Sequence, residues 1–111
     1  MKIILIGLLV AVAILSSAFT KNEPPKKLIH RRHANDKLKK EALAILEAKC
    51  NVCHRSQNPF MLFKEKNVSK RAKKIYQMVF VERKMPKGNE VRLSKEEYFK
   101  LEKWLFTQNI Y

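Results

Sequence analysis

The two cysteines of the chain both fall in one pentapeptide, Cys50-Asn51-Val52-Cys53-His54. Two thiols three residues apart, with an imidazole directly after the second, have the spacing of covalent haem attachment. The thiols can form thioethers with the two vinyl groups of the porphyrin. The adjacent imidazole then stands beneath the iron and donates a ring nitrogen. The same residues allow other chemistry. A Cys50–Cys53 disulfide would suit an exported chain. A thioredoxin-like redox pair would need the strands of a βαβ unit. A zinc-stabilised binding module would need two more ligands, and His30 and His33 could complete a Cys₂His₂ set.

The start of the chain bears on which of these applies. Met1-Lys2 is followed by an unbroken apolar run from Ile3 to Leu15 and then by Ser16-Ser17-Ala18. A charged start, an apolar stretch and small residues at the −3 and −1 positions read as a signal peptide over residues 1–18. The rival reading is an uncleaved membrane anchor, since Ile3 to Phe19 is just long enough to span a bilayer. Either way the remainder is expected to be exported, into a periplasm or an equivalent compartment.

The elements that must position the motif are helical in pattern. Residues 19–35, with Pro24-Pro25 and a cluster of cations, read as a basic linker before a domain over 36–111. A first helix is expected from about Asp36 to Lys49, with Leu38, Ala42, Ile45 and Leu46 in one stripe. A second is expected from about Ser69 to Arg83, burying Ala72, Ile75, Tyr76 and Val79. The third starts at Ser94, whose side chain can cap while Glu97 reaches back, and it carries Tyr98, Leu101, Trp104 and Leu105. Between the first two lies a loop with Phe60-Met61-Leu62-Phe63 in a row, and four large apolar side chains need a surface. A haem face and the helical core are both candidates. No alternating strand pattern and no glycine-rich phosphate loop is present.

The pentapeptide, together with Met85-Pro86 in the stretch KMPKGNEVR ahead of LSKEEYFKLEKWL, resembles class I cytochromes c over roughly residues 36 to 111. The resemblance implies a reduced all-α class I fold, about three helices around one covalently bound haem c, with the first and last helices packed together. It implies His54 as proximal and Met85 as distal iron ligand. By the same resemblance a proline after the motif accepts a hydrogen bond from the proximal imidazole, which points to Pro59, and Phe60 and Phe63 are expected to pack on the haem. Met61 and Met78 are expected to be packing or core residues. Paired Met and His ligands raise the reduction potential relative to two His ligands.

The charge says something about partners. The formal net charge is +14, or +13 without Lys2. Nucleic acid is the usual partner of so basic a chain, but the expected export argues against it. Acidic redox partner proteins (an oxidase, reductase or peroxidase) and the anionic surface of a membrane remain. Lys64, Lys66, Lys70, Arg71, Lys73 and Lys74 form the densest cluster, either a steering surface or simply a solvated face. No catalytic acid or nucleophile stands beside the motif, so the expected function is a single-electron carrier and not an enzyme. The alternative within haem chemistry is a sensor or peroxidase-like domain whose distal iron position is open.

Overall fold

A computed structural model of the chain describes residues 25–111, and all of their regular structure is helical. The α-helices are α1 (Lys26–Lys49), α2 (Asn51–Gln57), α3 (Ala72–Tyr76) and α4 (Lys95–Phe106). The apolar run that reads as a signal peptide or anchor lies outside the described residues. Among the described residues no helix is long and apolar enough to cross a membrane.

α1 begins directly after Pro25, ten residues before the expected start. Residues 26–35, assigned to a linker by their composition, are therefore its first turns. The reason is propensity. Between Lys26 and Lys49 there is neither glycine nor proline, and Lys, Arg, Leu, Ala and Glu all favour helix. The apolar stripe begins only at Leu38, and every residue from Pro25 to Lys37 is exposed. Periodicity marks where a helix is buried, and propensity carries this one beyond that point.

The core forms where α1 meets α4. Ala42, Ile45 and Leu46 of α1 pack with Leu101, Trp104 and Leu105 of α4, and all but Ile45 are wholly inaccessible. Ala72, Ile75 and Val79 close it from the side, with Phe63, Val68 and Leu93 from the connecting segments. Burying each large side chain stabilises the fold by roughly 1.5–3 kcal/mol. The expected packing of first helix on last is thus observed. Trp104 is the largest of the fully buried side chains. Tyr98, expected in the buried stripe, stays at the margin with its ring edge-on to Phe80 at 5.8 Å.

α4 starts as its sequence indicates. The Glu97 amide donates to Ser94 Oγ at 3.1 Å, and the Ser94 amide donates to Glu97 Oε2 at 2.7 Å. The expected second helix is a composite instead: a 3₁₀ turn (Ser69–Arg71), then α3, then a π-helical turn (Gln77–Val81). Two residues beyond the widened turn, Arg83 holds a left-handed φ of 53°. The carbonyl of Met78 there accepts from the amides of Lys84 at 2.9 Å and Met85 at 3.2 Å. These bonds fold the chain back and place Met85 beside the turn that carries Met78.

Candidate cofactor site

The motif sits at a helix junction. Cys50 closes α1, its amide donating to Leu46 O at 2.9 Å, and also opens α2, its carbonyl accepting from the His54 amide at 3.1 Å. With Cys50 as the N-cap of α2, Cys50, Cys53 and His54, at i, i+3 and i+4, share one face. That face lines a cavity of about 440 Å³, within the usual range for small-molecule and cofactor sites.

Leu46, Phe63, Ile75 and Val79 give the cavity apolar walls, and three methionines, Met61, Met78 and Met85, line it with Pro86. The 30 residues between His54 and Met85 are thus folded so that both border one space. Met78, expected in the core, is a wall residue because the π turn rotates it out of the buried stripe. Met61 is engaged elsewhere, its sulfur taking a contact from Arg71 Nη1 at 2.8 Å, while Arg71 Nη2 donates to Phe60 O at 2.9 Å. Arg71 also borders the cavity, with Lys49, Lys74 and Lys87; Glu90 is the acidic residue beside them.

Two expectations fail here. Phe60 is 89% exposed and does not border the cavity, because the 3₁₀ turn Pro59–Met61 points it outward. Pro59 is also outside the cavity and does not accept from His54, whose Nδ1 is buried and meets no hydrogen-bond partner. Phe63 does reach the site, its ring 6.0 Å from that of His54 and tilted by 56°.

Asn51 was not singled out by sequence, yet it is the polar residue buried among the described residues, at 5% exposure. Its Nδ2 donates to Phe63 O at 2.9 Å and its Oδ1 accepts from Phe63 N at 2.8 Å. A polar residue inside the motif was the available signal. Periodicity ignores it because Asn carries no hydrophobic weight.

Burial pushes the Cys50 thiol up to about 11, with the nearby Cys53 adding to the rise. At neutral pH Cys50 is therefore a protonated thiol. Such a group is a poor thiolate ligand and a slow partner in disulfide exchange.

The Cys₂His₂ arrangement is excluded by distance. His33 and Cys50 lie at opposite ends of helical backbone, 17 residues or about 25 Å apart at 1.5 Å per residue, and His30 is farther still. Zinc ligands must all lie within about 2.3 Å of the ion.

Compared with family models, curated proteins and solved structures, the chain matches none.

Proposed function

We propose that this chain is a mono-haem c-type cytochrome, a carrier of single electrons between exported or membrane redox partners, and not an enzyme. The observation that carries this reading is convergence: Cys50, Cys53, His54 and Met85, from two distant stretches of sequence, border one mostly apolar cavity. The donor set fits the group. Two thiols supply the covalent attachment, an imidazole and a thioether supply axial ligands, and the buried His54 Nδ1 is consistent with a ring held for coordination through its other nitrogen.

Bound in the cavity, haem c would supply a one-electron ferric/ferrous couple. The protein's own part is to hold and to exclude. Cys50 and Cys53 would hold the group through thioethers, the addition of S–H across a vinyl group being a chemistry that needs no net oxidation. His54 presents its imidazole from α2. Met85 offers its sulfur from the segment beyond the π turn. Leu46, Phe63, Ile75 and Val79 keep water from the space between, which favours the less charged form of any ion held there.

The basic groups around the opening, Lys49, Arg71, Lys74 and Lys87, suit an acidic redox partner held briefly and steered by charge. An anionic membrane surface is the second candidate, and the apolar run Ile3 to Leu15, read as a signal peptide or anchor, would give a periplasmic or membrane-anchored location.

The deciding experiment is a pyridine haemochrome on protein from the exported fraction, before and after acid extraction of non-covalent haem. One haem per chain that survives extraction is expected; colourless protein from a strain able to attach haem would end the reading. The sensor or peroxidase-like alternative is tested alongside, by whether carbon monoxide or peroxide binds the iron readily.

A further inference from the structure

A proximal imidazole can turn about its bond to a metal, and proteins commonly fix it with a hydrogen bond to the ring nitrogen facing away from that metal. Here His54 Nδ1 is buried without such a partner. What the ring does have is a neighbour: Phe63, only 7% exposed, 6.0 Å away and tilted by 56°. Phe63 lies in a connecting segment with no regular structure of its own, so its position depends on what holds its backbone. Both polar groups of that backbone are held by one side chain, the amide of Asn51, through bonds of 2.9 and 2.8 Å spanning 12 residues. Asn51 is itself placed by α2, three residues before His54.

We infer that Asn51 is a positioning residue: through the backbone of Phe63 it sets the aromatic wall that fixes the plane of the His54 imidazole, in place of a hydrogen bond to Nδ1. This rests on the haem reading for its functional meaning. The geometry closes a small loop, α2 to Asn51 to Phe63 to His54 and back to α2. Both hydrogen bonds are buried, so each is worth more than a solvent-exposed one, and losing the amide leaves a buried N–H and C=O unpaired. A second asparagine provides the comparison. Asn67 tethers the same segment, donating to Leu62 O at 2.9 Å and accepting from Lys64 N at 2.8 Å. It flanks Phe63 on both sides but bonds neither of its backbone groups.

Four haem-loaded proteins are compared by low-spin ferric electron paramagnetic resonance: the natural chain, Asn51→Ala, Phe63→Leu and Asn67→Ala. One sharp species is expected for the natural chain and for Asn67→Ala. Asn51→Ala and Phe63→Leu should both show altered g values with at least two ring orientations. Phe63→Leu keeps the backbone clasp and removes only the ring, so it decides the matter should Asn51→Ala fail to load. Natural g values in either variant, or an equal change in Asn67→Ala, would overturn the inference. A haem-free readout runs beside it, in the chain carrying Cys50→Ala and Cys53→Ala. The nuclear Overhauser contact between the His54 and Phe63 rings should be present there and lost on adding Asn51→Ala; its persistence would also overturn the inference. Absence of haem from the natural chain would instead count against the proposed function, leaving the ring contact to be judged on its own.

Discussion

The two walls of the cavity are built in different ways. The wall carrying Cys50, Cys53 and His54 is built on two helices that meet at Cys50, which caps both, with its loop pinned by the buried Asn51 amide. The wall carrying Met85 hangs from a π turn, a left-handed Arg83 and a segment without regular structure that runs to Ser94. One wall is specified by local spacing and the other by an irregular reversal. Chemistry that must be placed to within a fraction of an ångström sits on the first. The second has room to differ in length and conformation without disturbing it, since irregular segments tolerate change better than the elements they join.

The comparison can be broken or sharpened by substitution. The largest effect is expected on the helical wall: Cys50→Ala combined with Cys53→Ala should abolish acid-stable haem entirely, read as the haemochrome remaining after extraction. Met85→Ala should leave attachment intact but open the iron, so that carbon monoxide binding rises from negligible to stoichiometric and the reduction potential falls. Met78→Ala should do neither. Leu46→Ala, at a fully buried side chain shared by the cavity and the α1–α4 core, should cost 2–5 kcal/mol in denaturant unfolding, roughly the range for such truncations. Ser94→Ala removes the cap that anchors the far end of the irregular wall and should cost about 1 kcal/mol. Smallest of all, Arg83→Gly relieves a left-handed non-glycine residue and should stabilise by about 0.5–1 kcal/mol. A loss of stability there would mean that the Arg83 side chain contributes more to the reversal than its backbone strain takes away.

The same division governs what could be read before the fold was seen. The pentapeptide and the capped α4 are local patterns, and local patterns survive in sequence. The stripes of α1 and α4 named the core, apart from Leu38 and Tyr98 at its edge. By contrast the π turn has no periodic signature, and it is what rotates Met78 into the cavity. The outward Phe60 and inward Phe63 are adjacent apolar residues of one run, told apart only by a 3₁₀ turn and by the Asn51 clasp. Pro59 looked like the natural partner of His54 because it is the only proline nearby, but its position is spent on opening that turn. The early start of α1 was hidden for a different reason: a helix with nothing packed against it shows no stripe.

Those exposed first turns of α1 have a mechanical consequence. The 12 residues Lys26–Lys37 extend about 18 Å as helix. A flexible chain of the same length would have nearly the same average reach, about 19 Å at 5–6 Å times the square root of residue number. Helix formation therefore changes the average reach hardly at all. It removes the variance. Since the same helix ends at Cys50, the cavity keeps a fixed distance and bearing from Pro25.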